Sequence, residues 1–152
     1  MSNFNRQLVA LTMATLRADG KVDAAEIEVI KKVAADLGCS ADETTKLLLE
    51  ENQWQLTHCP EITKYITEVG NSVENREDKQ LIMEACILVA LADKVLTTKE
   101  VVVLLMICQA LKSPLDRMVC DIAIVAQNDR SIKIEGSDAN FDENESLEVT
   151  ND

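Results

Sequence analysis

Apolar residues recur at helical spacing along the first 127 residues and predict an all-α domain of about seven helices. In the second helix, Ile27, Ile30 and Val33 share one face, and Leu37 precedes a glycine, Gly38. Glycine suits the left-handed conformation that ends many helices. The predicted helices cover 3–18, 23–37, 40–52, 60–69, 75–92, 98–111 and 113–127.

Two of these segments carry apolar residues on nearly every side. They are the fifth helix after Leu81 and the sixth helix after Val101. A helix that is apolar all round is buried on all sides. We therefore expect these two helices at the centre, with the others packed around them.

The pattern repeats after a shift of 74 residues. The shift places Asp19 on Asp93 and Glu26 on Glu100, and it keeps the apolar positions of the flanking helices in register. Each copy is an apolar helix, a turn that begins with Asp, and a second helix. The repeat predicts two pseudo-symmetric helical hairpins around the central apolar helices.

Charge narrows the classes of partner. The chain has 27 acidic and 15 basic residues among 152, a net charge of −12. Nucleic-acid backbones and anionic membrane surfaces attract clustered Lys and Arg, so neither is an expected partner. The longest apolar runs are too short to span a bilayer, so we expect no direct membrane insertion. Cations and basic protein surfaces are the expected partners.

Half of the net charge lies in the last 25 residues. Residues 128–152 hold eight acids against two bases, and few apolar groups. Such a segment buries too little apolar surface to order itself. We therefore divide the chain into a helical domain, 1–127, and an acidic, disordered tail, 128–152, in which Ser131–Glu135 could form a short extended piece.

The cysteines favour a reducing compartment. There are five, an odd number, and no two have the spacing of a CxxC motif. Cys86 and Cys108 lie within apolar helices, where thiols act as small hydrophobic residues. With no secretion signal at the N-terminus, this usage predicts a cytoplasmic protein.

The turns of the repeat hold the candidate chemistry. The first reads Ala-Asp-Gly-Lys-Val-Asp-Ala-Ala-Glu from Ala18, like the second half of a calcium-binding EF-hand loop. A complete loop also needs oxygen ligands four and two residues before Asp19, where this chain has Thr15 and Arg17. A complete EF-hand is therefore not expected.

Helix capping is an alternative use of the same acids. Asp23 with Glu26, and Thr97 with Glu100, have the spacing of a capping box, in which two side chains satisfy free backbone N–H groups. Asp19 and Asp93 precede the two caps by four residues, and capping does not readily explain them. Hydrogen bonds to turn amides, which Asp often makes, are the simple alternative for these two residues. Capping alone, and capping with an added cation or partner role, both stay open.

The paired Ala-Asp-Gly turn, each copy between two apolar helices, resembles the TerB-like family of tellurite-resistance proteins and N-terminal domains of DnaJ-like co-chaperones. The resemblance covers residues 7–127. The second copy keeps Asp93 and Glu100 but has Lys94 where the first has Gly20.

The resemblance implies an all-helical, pseudo-symmetric domain with no enzymatic activity and an acidic surface. It also implies cation binding by the turn carboxylates and work in stress-response complexes near the membrane. Its metal ligands would be Asp19, Glu26, Asp93 and Glu100, with Asp23 as an outer candidate. The ion would be a weakly bound divalent cation, Ca²⁺ or Mg²⁺.

Other candidate sites have less support. His58 and Cys59 beside Trp54 supply two ligands of the four that a soft metal needs. Glu84 lies within the apolar fifth helix, and we expect it at the wet edge of that helix rather than in a catalytic site. The chain lacks a phosphate loop and a nucleophile elbow, so we expect no enzyme.

Two hypotheses for function remain. In the first, the domain is a non-enzymatic stress-response protein that binds a divalent cation or a basic protein partner through an acidic face made by the two Asp-turns. In the second, it is an interaction adaptor or co-chaperone-like module without metal, whose acids only cap helices.

Overall fold

Seven α-helices make up the fold in the described part of the chain, as the sequence predicts. The computed structural model describes residues 2–20, 22, 24–58 and 61–134, with only the backbone of Ser2 and Asp19. The helices are α1 (Ser2–Leu16), α2 (Ala24–Asp36), α3 (Ala41–Thr57), α4 (Ile62–Ser72), α5 (Arg76–Ala90), α6 (Thr98–Leu111) and α7 (Leu115–Asn128). A short 3-10 helix, Arg17–Asp19, follows α1.

Polar side chains begin three of the helices. The Ser40 hydroxyl accepts a hydrogen bond from the Glu43 N–H at 3.3 Å, and Asn75 Oδ1 accepts from the Glu77 N–H at 2.7 Å. Thr97 caps α6 in the same way. These bonds satisfy N–H groups that have no partner within the helix. The caps therefore fix where α3, α5 and α6 start.

The 74-residue repeat is larger than the predicted hairpin. The shift carries α1 onto α5 with identical bounds at both ends, and it carries the starts of α2 and α3 onto the starts of α6 and α7. Each copy is therefore a three-helix unit, and α4 connects the two units.

Backbone geometry at the helix ends confirms the repeat. Four described residues have positive φ, and they form two pairs under the shift: Gly20 with Lys94 (84° and 69°) and Gly38 with Lys112 (87° and 56°). The N–H of Gly20 donates to the Arg17 carbonyl at 3.0 Å, and that of Lys94 donates to the equivalent carbonyl at 3.0 Å. The second turn thus keeps the path of the first without its glycine. A left-handed conformation costs a lysine roughly 1–2 kcal/mol.

The centre of the domain is the contact between α1 and α5. Every residue from Leu8 to Leu16 is buried, including two threonines. The hydroxyl of Thr12 donates to the Leu8 carbonyl at 2.7 Å, and that of Thr15 donates to the Leu11 carbonyl at 2.9 Å. These bonds satisfy the hydroxyls within their own helix, so both threonines can lie in an apolar interior.

The sequence predicts that α6 is buried on all sides, and this prediction is wrong for one face of the helix. Leu104, Ile107 and Leu111 are fully buried, but Val102 and Leu105 stay 45% and 37% exposed. Apolar residues all round a helix do not ensure a neighbour on every side. The segment buried on all sides comprises residues 8–16 of α1, a helix that contacts α2, α3, α4, α5 and α6.

Packing between the two units is reciprocal. The second helix of each unit lies against the first helix of the other, so α2 contacts α5 and α6 contacts α1. An approximate two-fold axis between the units gives this pattern. The connecting helix α4 fills the space beside α1 and α6.

Beyond α7 the chain stays in contact with the domain. Lys133 and Ile134 form a short strand, β2, parallel to β1 (Val95–Leu96) in the second turn. The N–H of Lys133 donates to the Lys94 carbonyl at 2.8 Å. The extended piece expected after Ser131 is present, and regular structure continues past the predicted boundary at residue 127 to Ile134. Residues 135–152, which carry most of the predicted tail, lie outside the described residues.

Among the residues that the structure covers, no helix combines the length and the apolar character needed to cross a bilayer.

Close packing of α4 on α6 gives a stability prediction. A Cβ atom on Gly70 would lie 2.4 Å from the Ala110 Cβ. Gly70→Ala should therefore lower the free energy of unfolding by about 1–3 kcal/mol through overpacking, although alanine is the better helix former. Denaturant unfolding measures the change.

A paired variant serves as the control for this substitution. Ala110→Gly removes the opposing methyl group and leaves only the Ala110 backbone near the new Cβ, so the double variant should recover part of the lost stability. A Gly70→Ala protein more stable than the parent would contradict the packing described here.

Candidate functional site

Asp93 opens the second of the two Asp-turns and is exposed to solvent. Its Oδ1 accepts a hydrogen bond from the Val95 N–H at 3.0 Å. An aspartate that bonds the backbone two residues ahead holds a turn closed. One carboxylate oxygen of Asp93, a candidate metal ligand, therefore stabilises the turn.

Glu100, in contrast, is completely buried at the start of α6. Its Oε1 accepts from the Thr97 N–H at 2.9 Å and from the Thr97 hydroxyl at 3.2 Å, while the Glu100 N–H donates to that hydroxyl at 3.1 Å. The capping box predicted for this copy is confirmed. The buried Glu100 carboxylate therefore helps to cap the N-terminus of α6.

The first turn is described in part. Glu26 lies in the first turn of α2 and is 3% exposed, so both copies bury the equivalent glutamate. Asp23 and the Asp19 carboxylate lie outside the described residues. The capping box of Asp23 and Glu26 stays a prediction.

The fold places the first turn beside the second helical unit, because the 3-10 helix Arg17–Asp19 contacts α6. Among the side chains that the structure describes, no group of three or more His, Cys, Asp or Glu residues is placed to hold a metal ion. Asp23 and the Asp19 carboxylate are not among those side chains. The cation site at the five turn acids therefore stays a prediction.

Lys94 supplies an anchor that glycine lacks. Its ammonium group pairs with the Asp129 carboxylate, just after α7. The pairing with Lys94 and the hydrogen bonds from Ser131 lower the pKa of Asp129 to about 2. The second turn thus holds the segment that leads into β2.

The aromatic cluster at the end of α3 has a structural role. The Trp54 and His58 rings stack with centroids 4.2 Å apart, and the His58 Nδ1 lies 2.9 Å from the Trp54 carbonyl oxygen. The Tyr65 ring of α4 also contacts Trp54, with ring centroids 4.2 Å apart. Cys59, the second ligand considered for a soft metal, lies outside the described residues.

A buried carboxylate that the sequence analysis missed joins α3 to α4. Glu51 is 5% exposed, and both of its oxygens accept from the Tyr65 hydroxyl at 2.8 Å. Burial and the Glu51 carboxylate raise the pKa of the Tyr65 hydroxyl. The available signal was spacing: Leu47, Glu51 and Gln55 follow one another at four-residue intervals on the inward face of α3.

Glu84 lies at the wet edge of α5, as expected. Its side chain is 41% exposed, accepts from the Gln80 amide at 3.4 Å and lies 3.8 Å from Arg117. A half-exposed carboxylate with these contacts has an ordinary surface environment, which gives no support to a catalytic role.

Beside Glu84, a mainly apolar groove of about 200 Å³ separates α5 from α7. Leu88 and Ile124 are 43% and 54% exposed there. The groove is lined by Glu84, Ile87, Leu88, Asp121, Ile124 and Val125. Its only charged side chains are the two acids at its rim.

The repeat explains why the groove exists. Ala10 and Ala14 of α1 occupy the positions of Glu84 and Leu88 in α5. The two alanines are buried, and the Gln55 amide of α3 reaches the Ala10 carbonyl at 3.0 Å. The longer side chains of α5 keep α7 away, and α7 packs less extensively on α5 than α3 does on α1. We name the two contacts the closed seam (α1–α3) and the open seam (α5–α7).

Comparison with known families gives one finding. A family model described as "Tellurite resistance protein TerB" matches residues 5–117, well over half of the chain. The match includes both Asp-turns and ends within α7. Comparisons with curated proteins and with solved structures give no match.

The capping box at the second turn yields a testable consequence. Thr97→Ala should lower the free energy of unfolding by about 1–2 kcal/mol, because the Glu100 N–H and the buried carboxylate both lose the hydroxyl. Thr45→Ala, on the exposed side of α3, is the matched control and should change stability by less than about 0.5 kcal/mol. Equal effects of the two substitutions in denaturant unfolding would contradict a capping role.

Proposed function

Since the chain belongs to the TerB family, we propose that it is a non-enzymatic binding module whose open seam receives a segment of a protein partner. The groove between α5 and α7 carries this proposal. It offers an apolar floor with exposed Leu88 and Ile124, and its rim charges are acidic.

The shape and charge of the groove define the chemistry of the partner. A cavity of about 200 Å³ accommodates one or two aliphatic side chains of an incoming helix. Glu84 and Asp121 at the rim favour Lys or Arg beside those anchors, and the net charge of −12 attracts a basic segment from a distance. The partner is therefore an amphipathic basic segment.

The use of the acids supports binding rather than catalysis. Glu100 caps a helix, Glu51 holds Tyr65, and Glu84 lies near Arg117 at the surface. Each of these carboxylates has a structural contact that explains its position.

The family match and the cysteines support a cellular role and a compartment for the protein. The family's description as a tellurite resistance protein supports a role in a stress response. As the setting of that role we propose a complex with a membrane-associated partner. The four cysteines in the described ranges are free, and burial raises the pKa of the Cys86 thiol to about 12. Free thiols, with Cys86 and Cys108 buried, support a reducing compartment, and we place the protein in the cytoplasm.

A designed peptide tests the binding module directly. We expect an amphipathic Leu/Lys peptide to bind and to shift the amide resonances of Leu88, Ile124 and Val125. A Leu/Glu peptide of the same pattern should not bind. Ile124→Glu should weaken the binding of the Leu/Lys peptide by about tenfold, since it removes an apolar contact of the groove.

Leu49→Glu is the control for charge. Leu49 is 69% exposed on α3, so this variant adds the same negative charge away from the groove. It should leave binding unchanged or tighten it slightly. If Ile124→Glu tightened binding as much as Leu49→Glu, the affinity for the peptide would depend on net charge alone, and the groove would not be the binding site.

Divalent cation binding at the turns is a second candidate. Its support is the burial of Glu26 and Glu100 at equivalent positions, each beside a turn that begins with Asp. Asp19, Asp23, Glu26, Asp93 and Glu100 would supply hard oxygen ligands for Ca²⁺ or Mg²⁺. With so few ligands, the dissociation constant should be on the order of 10⁻⁴–10⁻³ M.

Calorimetry and thermal unfolding test the cation site. About 10 mM Ca²⁺ or Mg²⁺ should add roughly 1.4–2.7 kcal/mol of stability. Asp19→Asn with Asp93→Asn should abolish that gain without unfolding the protein, because asparagine can still bond the turn amides. Asp36→Asn with Glu68→Gln removes the same charge from exposed positions and should keep the gain. An equal loss in both double variants would contradict a specific site.

A further inference from the structure

A second cavity lies at the other end of the open seam, between the first turns of α5 and α7. Its volume is about 390 Å³. Helix α6 closes it through the turn that follows Leu111. The cavity is lined by Arg76, Lys79, Gln80, Met83, Lys112, Ser113, Pro114, Arg117, Met118 and Asp121.

The lining is basic although the chain is acidic. Four of the 15 Lys and Arg residues line this cavity against one carboxylate, Asp121. Arg117 also lies 3.8 Å from Glu84, at the outer edge. Four cations held together repel one another, and an anion in the cavity relieves that repulsion.

The equivalent place in the closed seam provides an internal comparison. There Asn5 and Glu43 stand at the positions of Lys79 and Arg117, and the Asn5 amide donates to the Glu43 carboxylate at 3.0 Å. That bond bridges α1 and α3 directly. The open seam has two cations in place of this hydrogen-bonded pair, so its helices are not bridged there by the same contact.

Lys112 provides a second, independent observation. It ends α6 with φ of 56°, at the position where the first copy has Gly38. Glycine adopts this conformation without strain, whereas lysine does not. The strained lysine extends the cationic lining, which a glycine at this position would not do.

The start of α7 differs from the start of α3. Ser40 caps α3 with its hydroxyl, whereas Pro114 at the equivalent position of α7 has no side-chain oxygen. Asp116 in the first turn of α7 accepts from the Arg117 N–H at 2.9 Å and offsets part of the helix dipole, so the positive charge of the cavity comes mainly from its four Lys and Arg side chains.

We propose that this cavity binds a small phosphorylated molecule, a phosphomonoester with a compact organic group. The dianionic phosphate lies among Lys79, Lys112 and Arg117 at the start of α7. The organic group lies on the apolar part of the lining, made by Met83, Pro114 and Met118. This site adjoins the partner groove, with which it shares Asp121, and it goes beyond the proposed function.

The test compares the binding of phenyl phosphate, inorganic phosphate and phenol at constant ionic strength. Inorganic phosphate represents the anionic part of phenyl phosphate, and phenol represents its organic part. In ¹H–¹⁵N spectra we expect phenyl phosphate to shift the amides of Ser113 and Arg117. Inorganic phosphate should bind more weakly at the same place, and phenol should cause no shift there.

Variants separate this site from general charge attraction. Lys112→Gly should weaken the binding of phenyl phosphate about tenfold or more, because it removes a charged contact. It should also raise the melting temperature by about 2–4 °C, because glycine relieves the backbone strain. Lys79→Gln should weaken binding to a similar degree, whereas Lys64→Gln, on the exposed side of α4, should leave it unchanged.

Three results would overturn the proposal. The first is no shift at Ser113 and Arg117 with phenyl phosphate. The second is an equal loss of affinity in Lys64→Gln. The third, inorganic phosphate binding as tightly as phenyl phosphate, would show that the apolar lining holds no organic group.

Discussion

The contact between α1 and α5 is the constraint on which the rest of this structure depends. From Leu8 to Leu16 no residue of α1 reaches solvent, and the facing residues of α5 are nearly as buried. A helix of this kind cannot stay in water, so every other helix is placed by covering one of these two. Reciprocal packing of α2 on α5 and of α6 on α1 completes that cover.

The two halves share one backbone plan but have different seams. Small side chains at Ala10 and Ala14 bring α3 onto α1, and Glu84 and Leu88 at the same positions keep α7 away from α5. The closed seam contributes mainly to stability. The open seam contains both the apolar groove and the basic cavity, so the two sites that we propose lie in the same copy of the repeat. A duplicated fold permits this division, because one copy can preserve the core while the other loses contacts.

Local chemistry made much of the fold predictable. Gly38 and the capping box at Thr97 lie where the chain must end and start helices, so the sequence alone placed these boundaries within a few residues. Exposure was harder to predict, because Val102 and Leu105 have the same apolar character as their buried neighbours. Which face of α6 is covered depends on where α4 and α1 lie, and that follows from the whole packing.

The candidate sites show the same limit. Spacing identified the acids of the two turns and their capping role, but a net charge of −12 concealed a basic cavity whose residues come from α5, α6 and α7. A comparison of the two copies contains that signal, since Gly38 becomes Lys112 and Glu43 becomes Arg117. The central claim is that α1 and α5 form the core and that only the second seam is open. Native-state hydrogen exchange tests it most directly. The amides of α1 and α5 should exchange slowest, through global unfolding, and those of α7 should exchange faster than those of α3. Amides of α7 as protected as those of α1, or of α3 less protected than those of α7, would contradict this account.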